Sequence, residues 1–594
     1  MERALQLHRA GRLAEAEAAY RAVLASDPDN VDALHFLGVL AFQRNDYRKA
    51  EELIARSLAR NPANPAARNN LGNVFAAQAR LDDAMACYGE ALALQPGFVD
   101  ALVNLGAGSM AQGKAQDAVG YFAHALDIDP GNAMALSNLG NAYRQQERLE
   151  DAAACHAQAI ALDPDLPEAQ HNFGNSLRDL GRLEEAELRY RKALSLRPGF
   201  PEALTGLGNV LDELGRIDEA LLCHREALAL KPDFADAHCN LGNTLVAQGR
   251  LQEAQACFDQ ALRHQPGHAP ATFSLANLRL MLGDYAAGLP LYEGRFDKQA
   301  LSRLYAGMRA RLAQFETVPR WRGEDAAGKT LLVWTEQGLG DSLMLLRYLP
   351  MLQQRGIGRL LVYCESALVR LMRDITGVDG VMPKSEAPPL AGLDLHCPIM
   401  SLPLAFETRL ATIPAQVPYV RVTEELGRAW AGKLSGVVRP RVGLVWSGGA
   451  PYPRNALRSV RLAQLAPILE VAGVSFVSLQ KGEAAQQLRD SAVAVADWMA
   501  ECDDLMDTAA LIRQLDLVIC VDTAVAHLAG ALGAPVWMLN RFESEWRWQT
   551  QGEDTPWYPT MRIFRQARPG DWGEVIARVA AELRRKITRE RQIG

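Results

Sequence analysis

A period of 34 residues governs the first half of the chain, and few folds tolerate one. Pro28, Pro62, Pro96, Pro130, Pro164, Pro198, Pro232 and Pro266 recur at that step. Gly38, Gly72, Gly106, Gly140, Gly174, Gly208 and Gly242 keep it too, as do Ala50, Ala84, Ala118, Ala152, Ala186, Ala220 and Ala254. Proline cannot continue a helix, so each one closes a unit. Within a unit, turns such as Gln112-Gly113-Lys114 and Leu214-Gly215-Arg216 join two helical stretches. One such hairpin cannot bury its apolar face alone, so the units must stack on one another. Cys87, Cys155, Cys223 and Cys257 differ by multiples of 34 and read as small core residues. The nine cysteines contain no CxxC pair, which argues against a disulfide framework, a structural zinc site or any bound metal of that kind.

Leu71-Gly72 on the first helix, Ala84 and Tyr88 four residues apart on the second, and the following Pro96 resemble the tetratricopeptide repeat. The missing side chain at glycine admits the partner helix, and the alanine and the large residue share one face. The count is a partial unit at 1–28, seven full units at 29–266 and a degenerate one at about 267–300, so a repeat domain is expected over residues 1–300.

Asn70, Asn104, Asn138, Asn172 and Asn240 share one position, just before the Leu-Gly pair or its equivalent. Asn73, Asn141, Asn175, Asn209 and Asn243 lie three residues further on, on the same helix face. An amide supplies a donor and an acceptor together, which suits either gripping an extended peptide backbone or bracing neighbouring helices. Similar asparagine ladders line the repeats of the O-linked N-acetylglucosamine transferase family, and that resemblance implies an acceptor-binding role. Gly206 and Ser274 interrupt the first ladder.

Residues 1–300 carry 28 Lys+Arg against 39 Asp+Glu, whereas 301–594 carry 35 against 31. An acidic first half lacks the basic footprint that nucleic acid requires, so no nucleic-acid partner is expected. No apolar run of about 18 residues is present and the chain starts with an amphipathic stretch, so a cytoplasmic protein with no membrane span is expected.

From about residue 319 strands alternate with helices, which implies parallel sheets. Strands are expected at Lys329–Thr335, Arg359–Cys364, Val378–Met382 and Leu393–Cys397, then at Arg441–Trp446, Val474–Leu479, Leu515–Val521 and Pro535–Leu539. Two consecutive sets predict two doubly wound lobes, at 301–435 and 436–594, with a cleft between them. Gly338-Leu339-Gly340 follows a strand, but the third glycine of a dinucleotide fingerprint would fall at Leu343, and no P-loop occurs. In the second lobe, Ser447-Gly448-Gly449, Arg454, Arg458, Ser459, Lys481-Gly482 and Asp522-Thr523-Ala524 with His527 all fall at carboxyl ends of strands. Thr523 opens a helix, where free N–H groups attract phosphate. Together these residues describe a pyrophosphate-type pocket.

The motifs EQGLGD, VGLVWSG, an Arg-Ser pair, SLQKG, DTAVAHLAGALG and PWYPTMRIFRQ resemble bacterial tetratricopeptide proteins with a heptosyltransferase-like glycosyltransferase domain. The resemblance implies an α-solenoid followed by an α/β GT-B fold of two doubly wound lobes. It implies an inverting, metal-independent protein O-glycosyltransferase that uses a nucleotide sugar and no cofactor. Flagellin is the implied acceptor and a CMP-nonulosonic acid such as pseudaminic acid the implied donor. A lipopolysaccharide-type glycosyltransferase and a non-catalytic repeat scaffold are the alternatives.

Transfer to Ser or Thr needs a base to accept the hydroxyl proton. Asp341, matching the Gly-Asp of heptosyltransferases, is the expected one, with helix capping its competing role. His396, at the end of a strand, is the second candidate. Trp546, Trp548, Trp557 and Tyr558 could stack on a base or sugar, or pack the lobes together. The helix from Trp572 to about Lys586 is expected to cross back onto the first lobe.

Overall fold

The computed structural model describes residues 1–296, 312–449, 455–491 and 493–593. Arg454 and residues 297–300 of the last predicted repeat lie outside them. The chain divides into two compact units, Met1–Pro232 and Asp233–Gly594.

The first unit is a solenoid of helical hairpins. A short helix Glu2–Arg9 precedes Leu13–Ser26, and the units that follow pair a 13-residue helix with a 14-residue one, such as Pro65–Ala77 with Leu81–Leu94. Asn30, Asn64 and Asn132 cap first helices by accepting the backbone N–H three residues on, at 2.9–3.0 Å. The periodic glycines are where paired helices touch. A β-carbon on Gly72, Gly106, Gly140, Gly174 or Gly208 would come within 2.4–2.9 Å of the ring of Tyr88, Phe122, His156, Tyr190 or His224 respectively. Each ring sits 16 residues downstream on the partner helix and is buried. The periodic alanines are completely buried beside them.

The second unit starts with two further hairpins, Ala235–Ala247 with Leu251–His264 and Ala269–Met281 with Tyr285–Tyr292. A turn of 3-10 helix, Glu293–Phe296, follows. The first lobe has four parallel strands, β1 (Thr330–Trp334), β2 (Arg359–Cys364), β3 (Gly380–Pro383) and β4 (Leu395–Pro398), in the order β3-β2-β1-β4. The second has β5 (Arg441–Val445), β6 (Ser475–Ser478), β7 (Val495–Asp497), β8 (Leu517–Val521), β9 (Val536–Asn540) and β10 (Met561–Arg565), all parallel, in the order β10-β9-β8-β5-β6-β7. The sequence reading missed both edges, β7 because it is three residues long and β10 because polar residues interrupt it.

The terminal helix departs from expectation. Trp572–Ile593 does not cross to the first lobe; Trp572, Val575, Ile576, Val579 and Leu583 are buried in the core of the second, against Val442, Leu444, Phe476 and Phe564. Its apolar stripe covers a face of its own sheet that would otherwise be open to water, so burial at home is favoured over a crossing.

A buried charged network joins the last repeat to the first lobe. Arg295, fully buried, donates through Nε and Nη2 to the Glu336 carboxylate at 2.8 and 2.9 Å and to Ser401 Oγ at 2.8 Å. Glu336 also accepts the Met400 N–H at 3.0 Å, so no charge in the network lacks a partner.

Candidate functional site

A cavity of about 920 Å³ opens between the two lobes and the last repeat helices. The first lobe contributes Gly338–Asp341, where β1 hands over to the helix Leu339–Leu345. The second contributes Asp522–Ala524 and His527, where β8 hands over to the helix Ala524–Ala531, together with Gly449, Arg458 and the segment Ser544–Arg547 after β9. The two helices pack against each other. Asn243, Phe273, Ser274, Asn277 and Tyr292 close the repeat side.

Asp341 is ion-paired to Nη2 of Arg547. Burial pushes its carboxyl above the usual range, and the Arg547 charge opposes that. Arg547 also donates to Glu545 Oε2 at 2.7 Å and lies 4.8 Å from the centre of the Trp546 ring. Asp522, buried near Glu545, is raised to about 6. Thr523 is the N-cap of its helix in extended conformation, and its Oγ1 has no hydrogen-bond partner among the described residues. His527 pairs through Nδ1 with the Tyr558 hydroxyl at 3.0 Å, and burial holds it far below its usual pKa. It faces the cavity as a neutral hydrogen-bonding group rather than a cation.

Several expected residues lie elsewhere. His396 lies in the first-lobe core: Trp334 Nε1 donates to its Nδ1 at 3.1 Å, Phe315 stacks on it at 5.1 Å, and burial lowers its pKa to about 4. It does not line the cavity. Lys481 is exposed and donates to the Cys502 carbonyl, away from the cavity. Ser447, Gly448 and Ser459 form an internally bonded elbow, with Ser459 Oγ accepting the Gly448 N–H at 3.1 Å and meeting Ser447 Oγ at 3.2 Å. Ser447 and Ser459 face a neighbouring cavity of about 490 Å³. Trp548, Trp557 and Tyr558 are fully buried, and Trp557 Nε1 donates to Tyr285 of the last repeat at 3.3 Å; of the aromatic set, Trp546 lines the cavity.

Three asparagines of the first ladder brace the repeats. Asn70, Asn104 and Asn172 each donate to the residue 35 positions earlier: His35 Nε2 at 2.9 Å, Asn69 Oδ1 at 2.9 Å and Ser137 Oγ at 3.0 Å. Asn138 and Asn240 are half-buried at the same position. Asn243 of the second ladder reaches the cavity, joined there by Asn277, one period later and overlooked in the sequence though the 34-residue step points to it. Sequence reasoning also missed Arg547, Glu545 and Gln480; the Gln480 side chain accepts the Trp446 and Ser447 N–H groups at 3.1 and 2.9 Å and so shapes the loop after β5.

Repeat hairpins running into two parallel-sheet lobes with a cleft between them define a repeat protein joined to an α/β glycosyltransferase-type domain. The comparisons agree: residues 463–569 match glycosyltransferase family 9 (heptosyltransferase), and residues 7–69 and 245–312 match the tetratricopeptide repeat. The chain thus carries tetratricopeptide repeats and a heptosyltransferase-like domain. Residues 61–274 also match the C-terminal domain of cilia and flagella-associated protein 70. Protein FlbA of Caulobacter vibrioides is 30% identical over 327 residues, 51% of this chain and 53% of that protein; the chain thus spans about half the length of this curated relative. Among solved structures, the APC/C hetero-tetramer Cut9-Hcn1 aligns with a TM-score of 0.39 at 16% identity, covering 44% of this chain and 52% of the other. A tetratricopeptide repeat protein from Parabacteroides merdae aligns at 0.36 and 19%, covering 41% and 97%. Similarity at that level carries no functional weight. No helix among the described residues is long and apolar enough to cross a membrane.

Proposed function

We propose that the chain is a protein O-glycosyltransferase that moves a sugar from a nucleotide-activated donor to Ser or Thr of a protein held by the repeats. The observation that carries this reading is the shared cavity: amides of the last repeats, Asn243 and Asn277, line the same space as Asp341 and the Thr523 helix N-terminus. A lipopolysaccharide acceptor would not need peptide-binding amides there. In this reading residues 1–300 receive the acceptor, 301–435 supply the acceptor-side lobe and 436–594 hold the nucleotide. Thr523, its unpartnered hydroxyl at a helix N-terminus, and Arg458 meet the donor phosphate. Asp341 takes the hydroxyl proton. Inversion without a metal, a cytoplasmic setting, flagellin as acceptor and a CMP-nonulosonic acid as donor complete the proposal. The family of the domain supports sugar transfer, and the repeats support a protein partner.

The experiment is co-expression of a candidate flagellin with the chain in cells that make the CMP-sugar. Intact-mass analysis should show increments of one sugar residue that depend on Asp341. A flagellin mass that is the same with and without the chain rejects that acceptor. Failure of the chain to bind any nucleotide or nucleotide sugar favours the scaffold alternative.

A further inference from the structure

Arg547 is 7% exposed, yet it forms part of the cavity wall. Two of its nitrogens hold the carboxylates of Asp341 and Glu545, and the third, Nε, is buried with no hydrogen-bond partner among the described residues. The Trp546 ring lies beneath the guanidinium at 4.8 Å. Such an arginine is preorganised to receive a planar or tetrahedral anion on two nitrogens at once.

This pairing bears on the assigned base. A carboxylate held by a buried guanidinium has its charge stabilised and accepts a proton poorly. Arg547 leaves Asp341 a weaker base than burial alone would make it. An incoming phosphate, in turn, meets the carboxylates of Glu336, Asp341, Asp522 and Glu545 in the cavity wall, and Arg547 turned toward it adds to Arg458 and Arg541 in offsetting their repulsion. Both difficulties have one solution in the same side chain.

We propose that Arg547 couples donor binding to acceptor activation: the donor phosphate takes over the guanidinium that otherwise holds Asp341, and the released carboxylate becomes the base. The inference rests on the glycosyl-transfer reading above. In the transfer step the acceptor oxygen forms a bond to the anomeric carbon while the bond from that carbon to the phosphate oxygen breaks. The electron pair of the broken bond stays on the phosphate, neutralised by Arg547, and the hydroxyl proton passes to Asp341. Besides Arg547, the ionisable groups that line the cavity with Asp341 are Glu336 after β1, Arg458 after β5, Asp522 and His527 after β8, Arg541 and Glu545 after β9, and Tyr292 of the last repeat helix.

Calorimetry with inorganic pyrophosphate on the full chain, near pH 6 and in two buffers of different ionisation heat, tests the coupling. The wild type should take up protons in excess of Asp341→Asn, by up to about one per site, because the released buried carboxylate protonates when no acceptor is present. Arg547→Gln should bind pyrophosphate about tenfold or more weakly without that excess uptake, and Arg547→Lys should recover part of the affinity. If Arg547→Gln does not fold, Asp341→Asn reads the same pair from the other side. Equal proton uptake by wild type and Asp341→Asn, or wild-type affinity in a folded Arg547→Gln, overturns the coupling and leaves the glycosyl-transfer reading intact. Absence of any pyrophosphate or CMP binding by the wild type overturns both.

Discussion

Gly340 passes so close to the imidazole of His527 that a β-carbon on it would lie 2.7 Å from Cδ2. The two residues belong to different lobes, and this is where the lobes meet at the floor of the cavity. The glycine that resembles part of a dinucleotide fingerprint is therefore a steric requirement of lobe contact. Alanine favours a helix over glycine by roughly 1 kcal/mol, so Gly340→Ala would stabilise if only local preference mattered. The expected result is the opposite: overpacking that costs roughly 1–3 kcal/mol, with a lower midpoint of thermal unfolding and weaker nucleotide binding. An unchanged midpoint would show that His527 gives way freely.

Asp341→Asn keeps the shape and removes the basicity. Transfer should fall by about 10²–10⁴-fold, the contribution of a positioned base, while donor affinity should rise, since Arg547 no longer has to leave a carboxylate. His396→Ala should behave differently, lowering thermal stability by opening a hole beside Phe315 and leaving Trp334 Nε1 without its acceptor. Turnover per folded molecule should stay near wild type in that variant. Loss of turnover with unchanged stability would reverse the two roles.

His224 stands where Phe122 and Phe258 stand in other repeats, and neither of its ring nitrogens has a hydrogen-bond partner among the described residues. Burial lowers its pKa from 6.5 to about 4, as it does for His156 and His171. A histidine kept neutral in the fold but free to protonate when unfolded adds stability above pH 6.5 that is lost as pH falls toward 4. The loss for each is on the order of 3 kcal/mol across that window. Thermal unfolding of residues 1–232 should therefore weaken steeply with mild acid, and His224→Phe should raise the midpoint and flatten the slope. A slope identical to wild type would mean that His224 already protonates in the fold.

Asn243→Ala and Asn277→Ala should raise the KM for a protein acceptor by about three- to tenfold each, the worth of one hydrogen bond, with kcat little affected. Asn70→Ala, Asn104→Ala and Asn172→Ala should instead lower repeat stability, since their amides bond to the preceding unit. Steady-state kinetics and thermal unfolding on the same variants separate the two sets.

The repeat half was legible because its period is written in residues whose physics is local: a proline closes each unit, and a glycine receives each ring. The two-lobed half was legible at the level of strands, and Gly338–Asp341 and Asp522–His527 were found because strand ends are where such sheets bind ligands. The same rule points to His396, which the structure places away from the cavity. It too sits near a strand end, but alternation along β4 turns it toward Phe315 and Trp334 rather than the cleft. Arg547 was invisible as a partner of Asp341 because it lies in an irregular segment after β9, where no periodicity tells which way a side chain points. Asn70, Asn104 and Asn172 carry the right chemistry for a peptide grip, and their amides bond to the preceding unit, a partner that the sequence period does not reveal.

The Arg295–Glu336–Ser401 network has a consequence for how such a chain can vary. Everything bonded to it lies beyond Phe234, so the final two hairpins behave as part of the catalytic body and not as interchangeable repeats. Loss or gain of a whole 34-residue unit within residues 1–232 leaves every one of these bonds in place. Trimming at residue 301, by contrast, removes the guanidinium and leaves Glu336 as a buried charge without its cation. The repeat array is thus free to lengthen or shorten by single units, while the hairpins beside Asp341 stay as they are.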